Sequence, residues 1–128
     1  MSEPATPQPG TIGWTDLTVP DADKVRDFYA TVVGWKPKPV EMGGYADYSM
    51  AEPGSGKDVA GVCWKKGINA DLPAQWLVYI TVADLTKSLA SCKKLGGAVI
   101  AGPRELAGGQ FAVIRDPAGA VCALFEAP

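Results

Sequence analysis

Two kinds of hydrophobic pattern follow one another along the chain, and the pair occurs twice. Residues 11–19 and 76–82 alternate apolar and polar side chains with a period of two, which is typical of β-strands. After each of these segments, apolar residues recur at helical spacing. The repeated residues are Val25, Phe28, Tyr29 and Val32 in one case, and Leu85, Leu89, Cys92 and Leu95 in the other. The pattern therefore predicts a strand followed by an amphipathic helix in each half.

The predicted helices have recognisable ends. Asp21 and Asp84 stand where a side chain can cap the first turn, since a carboxylate accepts hydrogen bonds from the free N–H groups there. Gly34 and the pair Gly96-Gly97 follow the last turns, and glycine is the residue that most easily adopts the left-handed backbone of a helix end.

Each helix is followed by three predicted strands, separated by glycine and proline turns. In the first half we expect an edge strand over 35–42, because Pro37 and Pro39 cannot donate ladder hydrogen bonds. Its companions are predicted over 45–50 and 59–64. In the second half the predicted strands are a short one over 98–101, ending before Gly102-Pro103, and then 110–115 and 121–126.

Both halves thus have the order βαβββ. The sequence Thr-Val-Pro-Asp at 18–21 returns as Thr-Val-Ala-Asp at 81–84, an offset of 63 residues (84 − 21). A fixed period of this kind indicates an internal repeat. We predict an α+β fold with halves at about 11–66 and 75–127 in a single domain, 10–127, with residues 1–9 as a flexible tail.

The charge of the chain gives no sign of a polyanionic partner. Its 128 residues include 12 Lys and Arg against 14 Asp and Glu, a formal net charge of −2, which argues against nucleic acid and against an anionic membrane. The start of the chain does not resemble a signal peptide, and no apolar run is long enough to cross a bilayer. Three widely spaced cysteines, Cys63, Cys92 and Cys122, are not a disulfide framework. We expect a cytoplasmic protein.

The chain contains no histidine. This excludes a Ser-His-Asp triad, a Cys-His pair and every metal site ligated by imidazole. Any catalysis has to use carboxylates, thiols, Tyr, Lys, Arg or backbone groups.

The repeated pattern resembles the glyoxalase/bleomycin-resistance/extradiol-dioxygenase superfamily, also called the vicinal oxygen chelate proteins. The resemblance covers about residues 11–127, and its joint order, present in both halves, is more specific than any one motif. The segments that match are 14–21, 28–29, 34–35, 79–84, 95–97, 116–119 and 124–126.

This resemblance implies two βαβββ modules that form one curved, cavity-enclosing pair of sheets, often assembled as a homodimer. Metal-using members of the family place ligands on strands that face the cavity. The resemblance assigns those positions here to Trp14, Leu77 and Glu126, and the repeat offset gives Cys63 as the counterpart of Glu126 (126 − 63). An indole and a leucine are not metal ligands, so we expect no metal and no other cofactor.

Strand alternation selects the side chains expected in that cavity. Trp14 and Asp16 share one strand face, Leu77 and Tyr79 another, and Leu124 and Glu126 a third. Asp16, Tyr79 and Glu126 are candidates for acid–base chemistry, although each also has an ordinary structural explanation as a hydrogen-bonded core or surface residue. The predicted ligand-binding residues are Trp14, Asp16, Tyr79, Leu124 and Glu126.

Three functional hypotheses remain open from the sequence. The first is a protein that binds a small, aromatic or hydrophobic molecule without a metal, as the antibiotic-sequestering branch of the family does. The second is a metal-independent isomerase or lyase that uses Asp16, Tyr79 and Glu126. The third is a metal enzyme with unusual ligands, which the absence of imidazole makes the weakest of the three.

Overall fold

The computed structural model describes residues 7–128 and belongs to the α+β class, as predicted. Within that range the chain forms eight β-strands, two α-helices and one 3-10 helix. It divides into two compact modules: the first consists of residues 14–76, and the second of residues 77–128 together with residues 7–13. Most of the expected tail, residues 1–6, lies outside the described residues.

The first module is a four-stranded mixed sheet with one long helix. Its strands lie in the order β2-β3-β4-β1, and β1 runs parallel to β4 while the other pairs are antiparallel. The proline-containing strand β2 therefore ends this order, as the sequence predicted. The elements are β1 (Ile12–Val19), α1 (Ala22–Val32), β2 (Lys36–Glu41), β3 (Ala46–Ala51), β4 (Asp58–Trp64) and the 3-10 helix (Gly67–Asn69).

The second module repeats the same topology. Its strands lie in the order β5-β8-β7-β6, with β5 parallel to β8. The βαβββ repeat predicted from the spacing of the motifs is confirmed in both modules. The elements are β5 (Trp76–Thr81), α2 (Leu85–Lys94), β6 (Ala98–Leu106), β7 (Gly109–Arg115) and β8 (Val121–Glu126).

Both helices begin at the predicted aspartates. The Asp21 carboxylate accepts a hydrogen bond from the Lys24 backbone N–H at 3.1 Å, and the Asp84 carboxylate accepts one from the Lys87 N–H, also at 3.1 Å. These bonds satisfy donors that a first helical turn otherwise leaves unused.

In each module one face of the sheet packs on the helix, and we call the opposite face the helix-free face. In the first module the helix-packed face carries Leu17, Val19, Met50 and Val62, in a buried cluster with Ala22 at the start of α1. In the second module the corresponding cluster is Leu85, Leu89, Ala112 and Leu124. Because side chains alternate along a strand, these clusters fix which residues point to the helix-free faces.

Strand β6 is longer than predicted. We expected it to end before Gly102-Pro103, but it continues to Leu106 and pairs with β7 throughout. The register shifts twice on the way, so β6 carries bulges, and a proline is tolerated at a bulge because no ladder N–H is required there. The hairpin then closes through a two-residue turn, Ala107 and Gly108, with φ angles of 51° and 80°.

Among residues 7–128, no helix is long and apolar enough to cross a membrane.

Candidate functional site

The helix-free face of the first module holds an indole and a carboxylate that are bonded to each other. Leu17 and Val19 pack on the helix side, so Trp14 and Asp16 point to the opposite face, as alternation predicted. The Trp14 Nε1–H donates a hydrogen bond of 2.5 Å to Asp16 Oδ1. This bond fixes the orientation of the half-buried indole ring and gives the carboxylate a donor.

The neighbouring strand leaves room for that carboxylate. Gly61 of β4 is the Cα partner of Asp16. A Cβ at Gly61 would overlap Asp16 Oδ1, and it would also lie 3.6 Å from Trp14 Nε1. Position 61 therefore has to lack a side chain for Asp16 to lie across the sheet.

A second carboxylate, Asp47 of β3, was not among the predicted site residues. It is only 6% exposed and accepts a hydrogen bond of 2.8 Å from the Trp64 backbone N–H. Burial raises the pKa of Asp47, and this effect outweighs the hydrogen bonds from Trp64 and Cys63 that lower it. The signal for it in the sequence was weak: a lone Asp on the alternate face of a strand whose other face bears Tyr48 and Met50.

The Cys63 thiol lies near both carboxylates. Desolvation is the main cause that raises its pKa, followed by the charges of Asp16 and Asp47 and a hydrogen bond to Asp47. This raised pKa disfavours the thiolate, which is the nucleophilic form of cysteine.

The helix-free face of the second module is aromatic. Tyr79, whose side chain is 6% exposed, lies against Phe111 with ring centroids 6.0 Å apart and a tilted geometry. Phe125 of β8 is the Cα partner of Phe111, and therefore shares its face. Tyr79 thus occupies the helix-free face predicted for it.

The predicted orientation of Leu124 and Glu126 is wrong. Leu124 belongs to the buried cluster with Leu85 and Leu89 of α2. The Glu126 carboxylate accepts a hydrogen bond of 2.7 Å from the Leu85 backbone N–H, at the first turn of that helix. Both side chains therefore point to the helix, because β8 has the opposite alternation phase to the one assumed from the sequence.

The prediction that Cys63 is the counterpart of Glu126 is also wrong, because the register between the first and last strands differs by one residue between the two modules. Asp16 pairs with Gly61 and Thr18 with Cys63 in the first module, whereas Tyr79 pairs with Ala123 and Thr81 with Phe125 in the second. The first strands of the two halves are offset by 63 residues, but the last strands are offset by 62 (125 − 63). Phe125 is the counterpart of Cys63.

The four positions that the resemblance assigned to metal ligands do not make a donor set. The Trp14 indole donates its N–H to Asp16, Leu77 is aliphatic, and the Glu126 carboxylate caps α2, which leaves Cys63 as the one possible donor of the four positions. In the part of the chain that the structure describes, no group of three or more His, Cys, Asp or Glu could hold a metal ion. The residues present do not fit the metal that many relatives of this fold use.

The side chains on these faces are mainly aromatic rings and carboxylates. The first module offers an oriented indole, whose flat face suits stacking, next to two carboxylates. The second offers a phenol and two phenylalanine rings. Aromatic walls with a few placed polar groups are characteristic of small-molecule sites.

Comparison with known sequences gives one family. Residues 11–124 match the model of the glyoxalase/bleomycin resistance protein/dioxygenase superfamily. The putative glyoxylase CFP32 of Mycobacterium bovis is 30% identical over 118 residues, covering 91% of this chain and 44% of the relative. The anthracycline biosynthesis protein DnrV of Streptomyces peucetius is 34% identical over 134 residues, covering 92% of this chain and 47% of the relative. The chain spans less than half the length of these curated relatives.

Solved structures agree on the fold. The hypothetical protein BH1468 from Bacillus halodurans has a TM-score of 0.59 at 14% identity, with 94% of this chain and 96% of that chain covered. Methylmalonyl-CoA epimerase from Mycobacterium tuberculosis has a TM-score of 0.54 at 20% identity, with 89% and 86% covered. The family model, which matches most of the chain, shows that the chain belongs to the glyoxalase/bleomycin resistance protein/dioxygenase superfamily.

Proposed function

We propose that the protein binds a small, ring-containing organic molecule on its helix-free faces without a metal ion. The observation that carries this proposal is the Trp14–Asp16 pair, in which a carboxylate holds an indole ring in one orientation on a sheet face. A fixed ring loses little conformational entropy when a flat ligand stacks on it. Trp14, Asp16 and Tyr79 are the proposed ligand-binding residues.

Two further observations support this reading. The assigned ligand positions do not form a metal donor set, so the groups that remain for recognition are aromatic rings and carboxylates. The name of the Streptomyces peucetius relative places it in the biosynthesis of anthracyclines, which are polycyclic aromatic compounds. As part of the proposal, we take polycyclic aromatic compounds as a ligand class to test for this chain.

The alternative is a metal-independent isomerase or lyase. The observation that favours it is that Asp16 and Tyr79, a carboxylate and a phenol, occupy equivalent positions, each five residues before the capping aspartate of its module. Such a pair suits proton removal and polarisation of a carbonyl group. Glu126, the third residue of this hypothesis, has its carboxylate committed to the first turn of α2.

The experiment is a binding screen followed by a turnover assay. Aromatic acids, phenols and polyketide-like quinones are tested by thermal shift, and each ligand found is then incubated with the protein and analysed by mass spectrometry. A ligand that stabilises the protein and is recovered unchanged supports binding, whereas a changed ligand supports the enzyme. Stoichiometric zinc, nickel, iron or manganese in elemental analysis of protein purified without a tag or chelator would contradict the metal-free proposal.

We also propose that the protein is a homodimer in the cytoplasm. Strand edges invite pairing with another chain, but β2 carries Pro37 and Pro39, so the contact belongs elsewhere. The three cysteines are free thiols, which fits a reducing compartment. Sedimentation that shows only a monomer of 13.4 kDa at micromolar concentration would exclude the dimer.

A further inference from the structure

The helix-free face of the second module contains a cation that the proposed function has not used. Arg104 of β6 is the Cα partner of Phe111 of β7, and paired residues point to the same side of a sheet. Phe111 in turn pairs with Phe125, and Phe125 with Thr81. Arg104, Phe111, Phe125 and Thr81 thus form one row across all four strands of the module.

A bulge in β6 sets the direction of Arg104. Between the pairs Ala101–Val113 and Arg104–Phe111, β6 advances three residues while β7 advances two. Regular alternation from Ala101 would turn the Arg104 side chain to the helix side of the sheet. The extra residue in the bulge instead points Arg104 to the helix-free face, where Val113 and Phe111 lie. Bulges often re-aim a side chain next to a functional site.

Gly102 makes this bulge possible. Its φ angle is 84°, and a Cβ there would lie 2.8 Å from the Phe111 carbonyl oxygen and 3.1 Å from the Ala112 Cα. Both the backbone conformation and the close approach of β7 require glycine. The backbone conformation at Gly102 therefore fixes the direction in which Arg104 points.

The surroundings of Arg104 define what it can recognise. Its Nη1 atom is buried, and its paired neighbour Phe111 is 1% exposed and touches the Tyr79 ring. A guanidinium stays charged, and its planar set of N–H donors matches the two oxygens of a carboxylate.

We infer that the ligand of this protein is an aromatic carboxylate, and that Arg104 binds its carboxylate group while the rings of the second module contact its apolar part. This inference rests on the proposed function, and it narrows the proposed ligand class from ring-containing molecules to ring-containing anions. Arg104 is then a specificity-determining residue, because it distinguishes a charged acid from a neutral ring of the same shape.

The test uses two probes of nearly equal shape, 2-naphthoate and 2-naphthamide, in calorimetric titrations of the full chain. The wild type should bind the acid more tightly than the amide by about tenfold or more, the scale of one charge-assisted hydrogen-bonded pair. Arg104→Met should remove that preference by weakening the acid alone, and Arg104→Lys should keep only part of it. Lys94→Met, which removes an exposed cation in the last turn of α2 and therefore away from the helix-free face, should match the wild type.

The outcomes separate the two proposals. If both probes bind the wild type with equal affinity, or if folded Arg104→Met keeps the preference for the acid, the role of Arg104 is overturned and ring binding stands. If neither probe binds the wild type at millimolar concentration, ring binding itself fails. Should Arg104→Met not fold, as judged by circular dichroism, Arg104→Lys and the wild-type preference still decide the matter.

Discussion

Trp14 and Asp16 stand two residues apart on the same face of one strand, and the indole of the first donates a 2.5 Å hydrogen bond to the carboxylate of the second. The bond requires both side chains to lie along the sheet surface, over the adjacent strand. That strand contributes Gly61 at the paired position. Three residues that are separate in the sequence therefore form one arrangement.

Gly61→Ala should disturb this arrangement directly. The new Cβ would overlap Asp16 Oδ1, so we expect a loss of about 1–3 kcal/mol in the free energy of unfolding, the usual cost of overpacking. In an Asp16→Ala background the same change should cost much less, because the overlapping oxygen is gone. Urea unfolding of the four proteins in this cycle measures the coupling.

The matched control is Gly13→Ala in strand β1, where an added Cβ has no atom within 4 Å. This variant should be nearly as stable as the wild type. Equal costs of Gly61→Ala in the presence and absence of Asp16 would show that the carboxylate does not occupy the space over Gly61.

Trp14→Ala should weaken binding of a ring-containing ligand by about 1–3 kcal/mol, the scale of losing one buried apolar side chain. Trp14→Phe keeps an aromatic face but removes the N–H that orients Asp16, so its loss should be smaller. Calorimetric titration with 2-naphthamide, the neutral probe, compares the three proteins. If all three bind the probe equally, Trp14 is not part of the binding surface.

Glu126→Ala should destabilise the protein by about 0.5–2 kcal/mol, the range of a lost helix cap, because the Leu85 N–H loses its acceptor. Glu126→Gln retains an amide oxygen at the same place and should lose less. Thermal and urea unfolding report the difference, with Glu105→Ala, an exposed site on β6, as the control. A variant of unchanged stability that has lost turnover of a substrate would instead make Glu126 a catalytic residue.

The stability contribution of Asp47 should depend on pH with a definite sign. Burial raises the pKa of Asp47, so the folded state holds this proton more tightly than the unfolded state, in which an aspartate has a pKa of about 3.9. Between the ordinary and the raised pKa, the free energy of unfolding should therefore fall as pH rises. Asp47→Asn, whose amide oxygen can still accept from the Trp64 N–H, should remove this part of the slope. Parallel pH profiles of the two proteins in urea unfolding would contradict the assignment.

The sequence predicted the elements well where local chemistry decides them. The caps at Asp21 and Asp84 and the edge position of β2 follow from single residues whose preferences are strong. It failed on β6, where a bulge continued a strand through Gly102 and Pro103. It also failed on Leu124 and Glu126, because a one-residue change of repeat offset reverses the faces of a strand. The sequence did not identify Asp47 and Arg104, because their neighbours are set by the register between strands. The spacing of residues along the chain does not reveal that register.

The two-residue turn at Ala107 and Gly108 makes the two helix-free faces differ in how far apart their paired residues lie along the chain. Arg104 and Phe111 are seven residues apart, and their pairing is set by one hairpin that a two-residue turn closes. Asp16 and Gly61 are 45 residues apart (61 − 16) and meet only when the whole first module has formed. The Arg104–Phe111 pair is therefore encoded locally, within one hairpin of fewer than twenty residues. The placement of Asp16 over Gly61, by contrast, depends on the packing of the whole first module.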